Sequence, residues 1–244
     1  MIDAAPCRLL DWDSQFFGRR IARVTAHRLT AELVDDILMW SKTHRIECLY
    51  CLADADDPAT VRLAEDNGFR HVDVRVTLGA RLDGAAASPE APPETGTRLF
   101  AHADLPALRA LARTSHQHSR FYWDPEFPTS RCDDLYETWI DKSCHGYADT
   151  VIVADAAGVA VGYVSCHLTA AETGQIGLFA VGAAHHGRGA GRALLAAALR
   201  WFAARGVRRV TVVTQGRNVA AQRLYQRGGF VTDAVQVWYH KWLA

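Results

Sequence analysis

Ile176-Gly177-Leu178-Phe179-Ala180-Val181 leads into His185-His186-Gly187-Arg188-Gly189-Ala190-Gly191. A helical run (Arg192 to Ala204) and a β-branched run (Val207 to Thr214) follow. The stretch closes on Asn218-Val219-Ala220-Ala221-Gln222-Arg223-Leu224-Tyr225-Gln226-Arg227-Gly228-Gly229-Phe230. The pattern reads as strand, glycine loop, helix, strand and short helix. Without a Cβ at 187, 189 and 191, the chain can turn tightly and an anion can come close to the backbone. The helix that begins there leaves its first N–H groups without internal partners, at the positive end of its dipole. Arg188 and Arg192 add full charge, so the loop is an anion seat. No Lys-Ser/Thr follows the Gly-x-Gly-x-Gly spacing, which excludes the nucleoside-triphosphate loop. The dinucleotide order Gly-x-Gly-x-x-Gly and its acidic partner are missing too. Asn218 reads as the N-cap of the helix that carries Tyr225.

Working outward, 244 residues are ample for two small domains, and 49% of them are apolar, enough for a real core. The 27 acids balance the 27 Lys and Arg, so no charge excess points to nucleic acid or an anionic membrane. No apolar run approaches the ~20 residues of a membrane span. Met1-Ile2-Asp3-Ala4-Ala5-Pro6 has neither the basic start nor the apolar core of a signal peptide. The expectation is a cytoplasmic protein. Cys48 and Cys51 have CxxC spacing, but on a strand such positions face opposite sides, and no second pair completes a metal site. They read as small buried hydrophobes, and no metal is expected.

Residues 83–96, rich in Pro, Ala and Gly, read as a linker between an N-terminal half-domain (1–82) and a second domain (97–244). In the first, Leu33, Ile37 and Trp40 predict a helix over Ala31 to Thr43, followed by a strand at Cys48 to Ala53. A helix near Thr60 to Asp66 and an alternating strand from Val72 to Leu78 follow. Trp12, Phe16 and Phe17 beside Gly18 read as a core anchor. Val61 to Phe69 aligns with Gln222 to Phe230, which suggests an internal repeat with Ala64 in the place of Tyr225. In the second domain a strand at Thr97 to Ala101 precedes a helix with Asp104 as its cap and Pro106 in its first turn. Ser115 to Phe127 reads as a loop, Cys132 to Ser143 as a helix, and Thr150 to His167 as a hairpin turning over Asp155-Ala156-Ala157-Gly158. The tail, Ala234 to Leu243, is an alternating strand that can pair across a homodimer or lie within one sheet.

His186-Gly187-Arg188-Gly189-Ala190-Gly191 and Asn-x-x-Ala-x-x-Leu-Tyr-x-x-x-Gly-Phe from Asn218 resemble the GCN5-related N-acetyltransferase (GNAT) superfamily. His186 departs from the family's usual Gln or Arg. The resemblance implies an α/β fold with a central mixed, mostly antiparallel sheet flanked by helices, and a smaller degenerate copy at the N-terminus. It implies acetyl-CoA as cosubstrate, with its pyrophosphate on the amides of Gly187, Arg188, Gly189, Ala190, Gly191 and Arg192. Phe179, Ala180 and Val181 would pair with pantetheine, Asn218 would lie near the cofactor, and Tyr225 would protonate the departing thiolate. The family's strand glutamate is replaced by Gly177, so His118, His167 and Asp124 become candidates for the base. Leu10 to Gly18 and Ser119 to Phe127 resemble the TDP-fucosamine N-acetyltransferase branch. That branch implies the amine of a nucleotide-linked amino-deoxy sugar as acceptor, met by His118, Arg120, Tyr122 and Asp124. Another amine (a protein N-terminus, an aminoglycoside or a small metabolite) or a CoA-binding module without turnover are the alternative readings.

Overall fold

The computed structural model describes residues 5–82 and 96–243. Of the expected linker only Gly96 falls among them, where it opens a strand; 83–95 lie outside the described residues. In chain order the elements are β1 (Cys7–Leu9), α1 (Asp11–Phe17), β2 (Ile21–Val24), α2 (Ala31–Thr43), β3 (Cys48–Asp54), α3 (Pro58–Asp66) and β4 (Arg70–Arg81). Then come β5 (Gly96–Leu99), α4 (Leu105–Ser115), α5 (Arg120–Trp123), α6 (Thr129–Lys142), β6 (Thr150–Ala156) and β7 (Val159–Ala170). The last are β8 (Thr173–Val181), α7 (Ala190–Ala203), β9 (Arg209–Gln215), α8 (Val219–Arg227) and β10 (Val231–Trp242). The chain forms two compact units.

The first unit comprises residues 1–75, 119–128 and 235–244. In it β1 pairs antiparallel with β2, β2 runs parallel to β3, and the C-terminal part of β10 pairs antiparallel with β3 from Gln236↔Asp54 to Trp242↔Cys48. β3 is buried on both faces, which accounts for its nearly unbroken apolar run. Leu49, Cys51 and Ala53 face a core with Val24, Val34, Ile37, Ala64 and Tyr239. α2 lies there because Thr30 Oγ1 accepts from the Leu33 amide and Val34, Ile37 and Ser41 fall on its buried side. Cys48 and Cys51 are buried free thiols, and burial pushes the Cys51 thiol up to about 12.

The repeat has a structural counterpart. α3 and α8 end in the same turn, with Gly68 at φ +73° and Gly229 at +85°. Phe69 N–H donates to Ala64 C=O and Phe230 N–H to Tyr225 C=O, each at 3.0 Å, and both phenylalanines are buried.

The second unit comprises residues 76–118 and 129–234. Here β5, β6, β7 and β8 pair antiparallel in that order, and β9 pairs parallel with β8. The hairpin β6–β7 turns through Ala157 and Gly158, both at positive φ. α7 packs on β6, β7 and β8 through Leu194, Leu195, Leu199 and Phe202, all buried. α4 and α6 pack together and bury Leu108, Ala112, Leu135 and Ile140. None of the described helices is long and apolar enough to cross a membrane.

Two local expectations need correction. Asp104 makes no side-chain cap on α4; its carboxylate accepts from the Ala101 amide and from both terminal nitrogens of Arg98. A bidentate guanidinium outbids a helix amide for the same oxygens. Ser115 to Phe127 is not all loop, because Arg120–Trp123 form the short helix α5.

A Cβ on Gly174 would run into the ring of Phe202, which is fully buried and has no room to yield. Gly174→Ala should cost about 1–3 kcal/mol, read as a lower denaturant midpoint at unchanged slope. His116 stacks on Tyr136 at 4.4 Å, with Nε2 2.9 Å from the Tyr163 hydroxyl; burial pulls it from 6.5 to about 4. Buried His240 in the first unit is likewise depressed to about 4. Between those values the unfolded chain binds more protons. Their contribution should therefore be complete above pH 6.5 and lost as pH falls toward about 4, and His116→Gln should flatten the slope of stability against pH.

Candidate active site

Pairing between β8 and β9 begins at Thr173↔Arg209 and stops at Ile176↔Val212, although β8 continues to Val181 and β9 to Gln215. On its other edge β8 stays paired with β7 through Gly162↔Val181. Residues 177–181 thus turn one row of backbone N–H and C=O groups toward an open wedge, suited to a ligand that carries amides.

At the end of the wedge the chain turns through Gly187 (φ +74°) and Gly189 (φ +86°) into α7. Among the described residues nothing accepts from the amides of 187–192, whereas the next, Ala193 N–H, already bonds Gly189 C=O. A Cβ on Gly187 would meet open space, so the turn faces outward. Two cavities share Gly187, Gly191, Ala220 and Leu224. One, of about 540 Å³, is walled by Phe179–Val181, His118, His186 and Asn218 among others. The other, of about 690 Å³, is ringed by Arg188, Arg192, Arg223 and Arg227. An apolar slot beside free amides and four guanidiniums fits a phosphorylated, amide-bearing thioester. Arg223 and Arg227 escaped the sequence reading; their i, i+4 spacing on α8 was the available signal.

His186 is exposed on the cavity wall, and its Nε2 donates to the Val181 carbonyl at 2.8 Å, bracing the loop against β8. Asn218 caps α8 by accepting from the Ala221 amide at 3.2 Å. Tyr225 is buried, and burial pushes its phenol well above the usual value. It is not on the wall of either cavity; its ring stands edge-on to Phe179, which is, with centroids 5.9 Å apart.

The space beside Gly177 is filled. A Cβ there would lie 2.5 Å from His167 Nε2 and 2.6 Å from Ser165 Oγ. Ser165 sits where the β7–β8 register shifts, and its oxygen accepts from the Leu178 amide at 2.8 Å. Ser165 Oγ also lies 3.4 Å from His167 Nε2, a contact in which either group can donate. Burial lowers the His167 pKa against the opposing pull of Asp149 and a hydrogen bond at the Tyr147 backbone.

The acceptor candidates divide between the units. His118 lines the smaller cavity of the second unit, and its carbonyl accepts from Arg217 at 3.2 Å. Arg120, Tyr122 and Asp124 belong to the first unit. Asp124 is buried and accepts from His240 Nδ1 at 2.6 Å, Trp242 Nε1 at 2.9 Å and the Glu126 amide at 3.1 Å. Burial opposes ionisation, yet the His240 and Trp242 donors hold its carboxyl below the usual range. Its oxygens clasp Ser119–Pro128 to β10.

Parted strands, a turn of free amides and an arginine-ringed cavity define an acyl-CoA-dependent transferase. The chain belongs to the Acetyltransferase (GNAT) family, whose model matches residues 109–230, and it is an acetyltransferase with acetyl-CoA as cosubstrate. It is 30% identical over 238 residues to a dTDP-fucosamine acetyltransferase of Escherichia coli, covering 95% of this chain and 96% of that one. It is 33% identical to a mycothiol acetyltransferase of Beutenbergia cavernae over 77% of this chain and 65% of that one. In fold it matches a GCN5-related N-acetyltransferase from Sphaerobacter thermophilus, with TM-score 0.69 and 21% identity over 97% of this chain and 76% of that one.

Gly189→Ala should strain a residue at φ +86° by about 1–3 kcal/mol and tilt the amides. Acetyl-CoA affinity measured by calorimetry should fall about tenfold.

Proposed function

We propose that this enzyme acetylates the amine of an amino-deoxy sugar linked to a nucleotide. The observation that carries this reading is the likeness, over nearly the whole of both chains, to the fucosamine enzyme. The likeness to the mycothiol enzyme keeps a second amine class open, over a smaller share of both chains. In the proposed reaction the neutral amine attacks the thioester carbonyl, its proton passes to His167 Nε2, and the thiolate leaves with the proton of Tyr225. His167 suits the base because its Nε2 lies where a side chain on Gly177 would begin. Its lowered pKa keeps it neutral near pH 7. Tyr225 suits the acid because burial keeps it protonated and it lies one ring behind the cavity wall, edge-on to Phe179. His118, on the wall of the cavity in the second unit, completes the proposal as a group that meets the acceptor; within the first unit Asp124 fixes the segment that carries Arg120 and Tyr122. The half-domain 1–82 and the catalytic domain 97–244 are the proposed functional division.

CoA release from acetyl-CoA should be fast with a TDP-linked amino sugar. Release with a mycothiol precursor but not with the nucleotide sugar would sink the acceptor reading. His167→Gln should lower kcat about a hundredfold or more with acetyl-CoA binding unchanged, and remove the acid limb of the pH–rate profile. Tyr225→Phe should lower kcat at constant acetyl-CoA affinity; unchanged turnover would remove it from the mechanism.

A further inference from the structure

We propose that the first unit carries a site for a phosphate-type polyanion, formed by Arg23, Arg75 and Arg120 around the rings of Tyr50 and Trp238. Register brings the group together. Arg23 pairs opposite Tyr50, Tyr50 opposite His240, and Trp238 and Gln236 follow at alternate positions of β10 on the same face. Arg120, held over that face by the Asp124 clasp, stacks its guanidinium 4.4 Å from the Tyr50 centroid, 4.1 Å from Phe121 and 4.4 Å from Trp238. Arg23 lies 5.1 Å from the Trp238 centroid, and Arg75 Nη1 donates to Gln236 Oε1 at 3.3 Å.

The anomaly is the missing negative charge. Other arginines of this chain find carboxylates: Arg28 has Asp54 and Asp56, Arg98 has Asp104 and Asp155, and Arg113 has Asp134 and Glu137. Among the described residues, none of Arg23, Arg75 and Arg120 forms an ion pair. Among the described residues Arg120 Nη1 and the Tyr50 hydroxyl are buried with no hydrogen-bond partner. Both are costly to leave so. Burial, then the Arg120 charge, depresses Arg23 and Arg75, with Arg75 and Arg8 adding to the repulsion on Arg23. The carboxyls nearby are Asp13, raised by its own burial against the pull of Arg120, Asp124, whose oxygens already serve His240 and Trp242, Asp54, which is engaged by Arg28 and reaches Arg75 only through the Gln236 amide, and buried Asp73, two residues from Arg75 on β4. Guanidinium forks around aromatic faces are the arrangement that recognises phosphate oxygens with planar groups beside them. A purely structural cluster would bring counter-charge of its own.

The test is calorimetric titration of the full chain with inorganic pyrophosphate, acetyl-CoA being kept saturating so that the amides of 187–192 are filled. Pyrophosphate should bind with salt-dependent affinity, weakened about tenfold or more in Arg23→Gln and in Arg75→Gln. Arg28→Gln, which removes an arginine already paired, should leave it unchanged. Without ligand, Arg23→Gln and Arg75→Gln should melt no lower than the parent, since each relieves repulsion. No pyrophosphate binding beyond the acetyl-CoA seat, or equal binding in both variants, overturns the proposal. Competition of dTDP with the acceptor assigns the site to the acceptor's diphosphate, and this part rests on the nucleotide-sugar reading. Non-competitive inhibition assigns it to a free phosphate effector. Pyrophosphate binding without turnover of the TDP-linked amino sugar keeps the site and removes only the acceptor reading.

Discussion

Pairing that ends at Ile176↔Val212 while both strands run on is the constraint from which the active site follows. Backbone groups withdrawn from a sheet ladder need another partner. On β8 the withdrawn row faces a wedge that a ligand's amides can fill. Everything that holds β8 still therefore acts on the site: Phe202 of α7 against Gly174, Ser165 Oγ on the Leu178 amide, and His186 on the Val181 carbonyl. The turn through Gly187 and Gly189 then delivers free amides where the strand ends, and the dipole of α7 adds its positive end.

The two units handle charge by different means. In the second, the anion seat is mainly backbone, and Arg188, Arg192, Arg223 and Arg227 ring it from the surface, where water screens their mutual repulsion. In the first, three arginines are drawn together on a partly buried sheet face, with rings rather than carboxylates between them. Burial strengthens repulsion as well as attraction. A cluster of that kind is stable without its ligand only because the surrounding packing, above all the Asp124–His240–Trp242 clasp, is strong enough to bear it.

What was legible in the sequence is what local rules control. α2 runs from Ala31 to Thr43 as its periodicity indicates, Asn218 caps α8 as its residue type indicates, and the glycine loop leads into a helix. Asp104 failed because Arg98, six residues earlier, competes for it, and a capping rule has no knowledge of competitors. α5 was lost inside a segment whose hydrogen-bonding residues and closing prolines, Pro125 and Pro128, read as loop. The arginine cluster lay beyond reach because it is assembled across β2, β3, β4, β10 and α5, and only register says which of their side chains share a face. The place of His167 depends on the β7–β8 register shift, which no spacing in β7 announces.

The repeated helix ends show how little of the side chain proposed as the acid is needed for folding. Phe69 and Phe230 close α3 and α8 by the same backbone bond to the residue five before, Ala64 in one case and Tyr225 in the other. That bond uses a carbonyl, so the turn is indifferent to the side chain above it. α3 fills the position with alanine and buries it in the core of its unit; α8 fills it with a phenol beside Phe179. A residue that the backbone does not need is free to take on the proton transfer proposed for Tyr225, and α3 has the same turn with no phenol on it.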